Sequence, residues 1–311
     1  MARTEPAEES SPLAKLKAGG KPAVAAALAE IERAPESPAS LALLDAAFAR
    51  PIAHVIGLTG PPGVGKSTLA GALLRVLRAS NRRVAIIAVD PSSRRSGGAL
   101  LGDRSRIAAD AEDAGIFVRS MAARDRLGGL AEESLAAMVL LRALYDVVIL
   151  ETVGVGQSET DVADCADTVV FCVQPGSGDS LQFMKAGIVE IPHIVVVTKS
   201  DMGATASRAR ADVEGALGLA QAGERPVDVL SLSAVKGEGI EALLDALDRR
   251  WTWFGHEGRL LRQRRAQARH WLADALRQRY GRLGARRAGA LTLADGESPF
   301  AKLAEISARL S

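Results

Sequence analysis

Gly60-Pro61-Pro62-Gly63-Val64-Gly65-Lys66-Ser67, followed by Thr68, carries the most definite chemistry in this 311-residue chain. It fits G-x-x-x-x-G-K-[ST] and lies between an apolar run, His54 to Leu58, and a helical pattern running on from Ser67. Glycines let the backbone wrap a phosphate with its N–H groups, and the helix that follows points its positive end at the same charge. Lys66 is then placed to bridge the β- and γ-phosphates of a nucleotide, and Ser67 to put its hydroxyl on Mg²⁺. A glycine-rich turn with a chance match is the bland alternative, but strand, turn and helix all agree with a phosphate loop. The loop alone does not separate ATP from GTP.

A second constellation addresses the base. The apolar run His193 to Val197 ends in Thr198-Lys199-Ser200-Asp201, a form of [NT]-K-x-D. A carboxylate at Asp201 can accept from both the ring N–H and the exocyclic amino group of guanine, a donor pair that adenine lacks, while the Lys199 stem covers base and ribose. Adenine would leave that carboxylate unpaired. Ser233-Ala234-Val235, at the end of the next apolar run, matches a loop whose backbone N–H meets the guanine carbonyl oxygen. A charged turn after a strand is common by itself, and Thr198 stands where Asn is the commoner residue. The order of the elements nevertheless favours GTP and GDP over ATP.

Two further acids end apolar runs, Asp90 in VAIIAVDPSS and Glu151 in YDVVILETVGVGQSET. At the carboxyl edge of a sheet such acids can hold Mg²⁺ through water, although single acids there more often cap helices or turns. Polar, glycine-containing stretches follow at 91–106, Gly154 to Thr160 and Gln174 to Ser180. Loops of this kind can order around a γ-phosphate and relax when it is lost. No residue stands out as a catalytic base, so hydrolysis is expected to rest on positioning and charge and to be slow until a partner completes the site.

These residues need a scaffold, and the pattern supplies one. Seven apolar runs (IAHVIGL, VAIIAVD, IFVRS, YDVVILET, TVVFCVQP, HIVVVTKSD, VDVLSLSA) alternate with helical patterns, and each is too uniformly apolar to leave one face in water. An α/β fold is predicted, a mostly parallel sheet flanked by helices. The expected division is an N-terminal helical extension at 1–50, the nucleotide domain at 51–250 and a C-terminal helical arm at 251–311. In that arm Leu261, Ala268, Trp271, Leu272, Ala275, Leu276 and Tyr280 recur at near-helical spacing.

Composition narrows the classes. Hydrophobic residues make up 48% of the chain, ample for a core. No apolar run reaches the roughly 18 residues of a spanning helix. The start MARTEPAEESSP lacks the basic-then-apolar order of a secretion signal, so a cytoplasmic protein away from membranes is expected. The two cysteines, Cys165 and Cys172, read as core thiols and the four histidines are scattered, which argues against a zinc cluster. The net charge of +2 hides an asymmetry: from Arg249 to Arg287 twelve arginines face only Glu257 and Asp274, a local +10 that leaves −8 elsewhere.

The segments TGPPGVGKST, AVDPSSRRSGGALLGDRSR, YDVVILETVGVGQSE, TKSD and SA, in this order over about residues 50 to 240, resemble one family. It is the MeaB/ArgK/MMAA group of P-loop GTPases, metallochaperones of adenosylcobalamin-dependent acyl-CoA mutases. The resemblance implies a homodimeric GTPase that binds such a mutase and couples GTP binding or hydrolysis to loading and protection of its cobalamin. It also implies dimerisation through the C-terminal arm and Mg²⁺ and switch roles for Ser67, Asp90, Asp103 and Glu151; a separate hypothesis treats Lys185 as a charge donor that reaches the γ-phosphate when the mutase docks. The third polar loop departs from the family pattern: Ser180 replaces an acid, Phe183 a glycine and Ala186 a lysine.

Two other readings compete. The arginine-rich arm would suit a nucleic-acid or ribosome-associated GTPase, whose binding would fall steeply with salt. No nucleic-acid motif accompanies the charge, and a solvated or dimer-facing helix is favoured. Older descriptions of the family as kinases linked to arginine and ornithine transport imply an ATP-dependent enzyme, against which Asp201 and Ser233 argue.

Overall fold

Each of the seven apolar runs forms a strand. The computed structural model describes residues 11–91, 110, 112–123, 132–152, 162–176, 191–219, 226–289, 291–294 and 296–310. Strands β1 (His54–Thr59), β2 (Val84–Pro91), β3 (Ile116–Ala123), β4 (Val147–Glu151), β5 (Thr168–Val173), β6 (Ile194–Val197) and β7 (Asp228–Ser231) form one sheet ordered β3-β2-β4-β1-β5-β6-β7. Every described ladder is parallel. Strands β1, β4, β5 and β6 are buried at every residue, as interior strands covered on both faces must be, whereas edge strand β7 is only half-buried.

Among the described residues the helices are α1 (Pro12–Arg33), α2 (Pro38–Ala49), α3 (Lys66–Ala79), α4 (Glu132–Leu144), α5 (Ala204–Leu219), α6 (Ile240–Phe254), α7 (Arg259–Arg287) and α8 (Pro299–Leu310). None is long and apolar enough to cross a membrane. The chain divides into two compact units, one of residues 1–53, 132–146 and 261–311, the other of 54–131 and 147–260.

The sheet unit owes its two cores to the two-residue period of its strands. Val170, Cys172, Ile194 and Val196 join a cluster with Leu69, Leu73 and Leu77 of α3 and Leu243 and Leu247 of α6. Their neighbours Phe171, Val173, Val195 and Val197 face the other way and pack with Val213 of α5. In α3 the buried Leu69, Leu73 and Leu77 recur every four residues, one stripe on an amphipathic helix. β1 lies between β4 and β5, so the carboxyl ends of these three strands stand side by side at one edge of the sheet.

The opposite edge is closed by a polar knot. His54 Nε2 lies 2.8 Å from Thr168 Oγ1, and the His54 ring stacks on Trp251 at 4.7 Å. Asp167 accepts from the Val55 N–H at 2.8 Å, and His193 Nδ1 accepts from the Val169 N–H at 2.9 Å. An accepting Nδ1 requires a neutral ring. Burial, helped by Arg250 and His54 and opposed by Asp167, pushes the His193 pKa from 6.5 to about 3. In the unfolded chain the ring protonates near its ordinary value, so this contribution to stability is complete above pH 6.5 and is lost as pH falls toward 3. Unfolding free energy is expected to drop by about 1.4 kcal/mol per pH unit in that window. Denaturant titrations between pH 7 and 4 should show this slope in the unmodified protein and lose it in His193→Gln.

In the helical unit, α1 and α2 start at serine caps with proline in the first turn. Ser11 accepts from Ala14 N–H and Ser37 from Ser40 N–H, each at 3.2 Å. Helix α4 is buried from Ser134 to Leu144. Arg279 bridges Glu36 and Glu132, and Leu272, Ala275 and Leu276 of α7 pack with Leu303 and Ile306 of α8. Gly281, at φ 66°, interrupts α7 just after Tyr280.

Candidate functional site

The phosphate loop runs from the carboxyl end of β1 into α3. Gly60 has φ 131°, and a Cβ there would lie 2.3 Å from the Cys172 carbonyl oxygen, so only glycine lets the loop turn this tightly against β5. Gly65, at φ 102°, opens α3 with no side-chain cap. The first N–H groups of that helix are therefore directed into the loop, where an anion suits them. Lys66 is buried, and its Nζ donates to Gly60 O at 2.7 Å and Pro61 O at 3.0 Å. The loop thus holds an ammonium at its own centre. Pro62 and Gly63 are exposed and Val64 is packed into the core. Cys172 lies beneath as a packing residue: burial pushes its thiol up to about 12, against the pull of the Lys66 ammonium.

Ser67, on the first turn of α3, donates to Glu151 Oε1 at 2.5 Å. Glu151 is buried at the carboxyl end of β4, the strand paired with β1. Thr152, one residue on, is 3.1 Å from Thr59 Oγ1 and ties the two strand ends together. Hydroxyl and carboxylate oxygens at this spacing suit a hard divalent cation that takes its remaining ligands from water and nucleotide phosphates. Among the described residues no group of three or more His, Cys, Asp or Glu could hold a metal without such help. Asp90 is the penultimate residue of β2, next to β4, but its side chain lies outside the described residues.

The base-side residues converge on the same edge. Thr198 is buried, and its hydroxyl lies 2.8 Å from Val64 O and 3.0 Å from Val173 O. It ties the end of β6 to both the phosphate loop and β5. Lys199 has a left-handed backbone, φ 54°, and its Nζ donates to Gln174 Oε1 at 2.6 Å and Gly63 O at 3.2 Å. Asp201 is exposed. A hydrogen bond from the buried Ser233 hydroxyl, then its own backbone N–H and the charges of Lys236 and Lys199, hold its carboxyl below the ordinary value of 3.8. The loop after β7 is closed by paired backbone hydrogen bonds between Ser233 and Glu238, which present Ala234 and the 87% exposed Val235.

The structure therefore brings Gly60 to Thr68, Glu151, Lys199, Asp201 and Ser233 to Val235 to one edge of one sheet. Asp103, Lys185, the stretch Gly154 to Thr160 and the departures Ser180, Phe183 and Ala186 lie outside the described residues. The sequence names Gln174 only as the start of the polar stretch Gln174 to Ser180 and gives it no role of its own.

The sequence model of the family described as "Methylmalonyl Co-A mutase-associated GTPase MeaB" matches residues 23–284. A putative GTPase of Pyrococcus abyssi is 43% identical over 68% of this chain and 67% of its own. The mouse "Methylmalonic aciduria type A homolog, mitochondrial" is 37% identical over 74% of this chain, and the match spans 56% of that protein. The crystal structure of a "LAO/AO transport system kinase" superimposes with a TM-score of 0.70 at 28% identity, covering 99% of both chains.

Proposed function

The chain belongs to the family of methylmalonyl Co-A mutase-associated GTPases, MeaB, and from that membership we propose that it chaperones an adenosylcobalamin-dependent acyl-CoA mutase, assisting loading and protection of the mutase's cobalamin. GTP is bound along the sheet edge and hydrolysed to GDP and phosphate. The observation that carries this reading is the tie between the two halves of the site: Lys199, from the base motif, donates to Gly63 of the phosphate loop. A nucleotide held by Gly60 to Thr68 would thus meet a guanine-reading carboxylate at Asp201.

The roles follow from the chemistry of each group. Loop N–H groups and Lys66 neutralise the β- and γ-phosphates. Ser67 and Glu151, with Asp90 and Asp103, are assigned to Mg²⁺, which when bound shields the charge between those phosphates. Asp103 and Lys185 are assigned to the switch and to completing the charge around the γ-phosphate when the mutase docks. Isolated turnover is accordingly slow. The arm at 251–311 is assigned to homodimer contact, with 1–50 as the helical extension, 51–250 as the GTPase domain, and the cytoplasm as the place of action. The solved relative's name invokes a transport kinase, but the Asp201–Ser233 pair supports guanine over the adenine such an enzyme would use.

Affinity capture tests the partner. With a non-hydrolysable GTP analogue bound, the protein is expected to retain a cobalamin-dependent acyl-CoA mutase from native extract and to retain less of it with GDP. Recovery of no cobalamin enzyme in either state contradicts the proposal, and recovery of ribosomal RNA near physiological salt would favour the arginine-rich arm as a nucleic-acid surface.

A further inference from the structure

The lysine assigned to the base is held by a residue outside the motifs. Lys199 follows β6 in a left-handed conformation, and the shortest described contact of its ammonium is the Gln174 side-chain oxygen at 2.6 Å, against 3.2 Å to Gly63 O. Gln174 comes directly after β5 (Thr168–Val173) and directly before Pro175, and it is partly buried. Its backbone is thus tied to a fully buried strand on one side and to a ring-locked residue on the other. A lysine stem has four rotatable torsions, and an exposed one samples many rotamers. An acceptor at the tip selects those in which the stem spans from the end of β6 to the end of β5. Gly63 O alone would tie the ammonium only to the phosphate loop. Gln174 ties it to the sheet.

We infer that Gln174 is a positioning residue for guanine nucleotides, fixing the Lys199 ammonium so that the stem is already ordered where the base stacks. This rests on the reading of Lys199 as the base contact. Less torsional freedom is then lost when nucleotide binds, and the gain appears in guanine affinity alone. Binding at the phosphate loop, which Gln174 does not touch among the described contacts, is left as it was.

Calorimetric titration of GDP into the unmodified protein, Gln174→Met, Lys199→Ala and the double variant tests this. Gln174→Met keeps the bulk of the side chain and removes the acceptor. It is expected to weaken GDP roughly five- to tenfold, to leave inorganic tripolyphosphate binding unchanged, and to cost nothing further in the Lys199→Ala background. Gln174→Glu, which retains an acceptor oxygen, keeps the unmodified affinity. Undiminished GDP binding by Gln174→Met, beside a weakened Lys199→Ala, overturns the inference and leaves the base reading standing. Equal losses from Gln174→Met in both backgrounds, or a Gln174→Glu as weak as Gln174→Met, overturn it too. If Lys199→Ala binds GDP undiminished, the base reading falls and takes the inference with it.

Discussion

Asp201→Asn is expected to weaken GTP binding by about 10²- to 10³-fold and to let xanthosine triphosphate bind in its place. On the proposed reading the carboxylate would accept two hydrogen bonds from guanine, at the ring N–H and at the amino group. An asparagine presents an amide that accepts one and sets its NH₂ against the guanine amino group. Xanthine carries a carbonyl at that position and accepts from the same NH₂, so the pattern is restored with its direction reversed. Asp201 is exposed and its contacts are made within the nucleotide edge, so the thermal midpoint should barely move. The pH dependence follows the same chemistry. The Ser233 hydroxyl, the backbone and two lysines hold the carboxyl below 3.8, so it stays ionised as acid is added through the ordinary carboxylate range. Guanine affinity measured by competition at pH 7 and pH 5 should therefore agree, apart from losses traceable to unfolding.

Lys66→Ala is expected to lower GTP turnover by at least about 10²- to 10³-fold, the loss typical of removing one preorganised charge donor from an active site. The ammonium is buried and bonded to the Gly60 and Pro61 carbonyls. Its removal leaves two loop carbonyls without that donor and, on the proposed reading, takes away the charge that would face the β- and γ-phosphates. Arginine does not restore it, because a planar fork cannot occupy a space shaped for a compact ammonium beneath two carbonyls. Alanine is a strong helix former at the first position of α3, so secondary structure by circular dichroism should be retained while phosphate release slows by that factor. Normal turnover in Lys66→Ala would remove this loop from the chemistry.

The strands were legible because parallel strands covered on both faces must be apolar throughout, and Val/Ile-rich runs such as VVIL and VVFCV have no other comfortable place. Their order was not. Nothing in a run's composition says that β1 sits between β4 and β5, yet that placement brings Glu151 to Ser67. Helix α4 joins α1 and α2 although some eighty residues separate it from them, a pairing fixed by tertiary packing and invisible to local periodicity. The first turns of α1 contain Gly19, Gly20 and Pro22, residue types that interrupt a helical pattern, so local periodicity does not show them. The chain does break at Gly20, φ 62°, but helix resumes on either side.

Within the site the motif residues were legible and their supports were not. Thr198 counted in the sequence as a departure from the commoner Asn. In the structure its hydroxyl reaches Val64 O and Val173 O, so a shorter side chain fastens the base motif to the phosphate loop. The sequence suggests Ser233 to Val235 as a backbone contact, and in the structure the Ser233 hydroxyl also bonds the Asp201 carboxyl and lowers its pKa. Such contacts join residues far apart in the chain, and no spacing rule encodes them.

The central claim is that one sheet edge reads guanine through Lys199 and Asp201 while the loop around Lys66 grips the phosphates. Side-by-side calorimetric titration of the unmodified protein with GDP and ADP, in the presence of Mg²⁺, tests it most directly. GDP is expected to bind at least about a hundredfold more tightly, in keeping with a carboxylate that adenine cannot satisfy. ADP bound as tightly as GDP, or more tightly, would contradict the account.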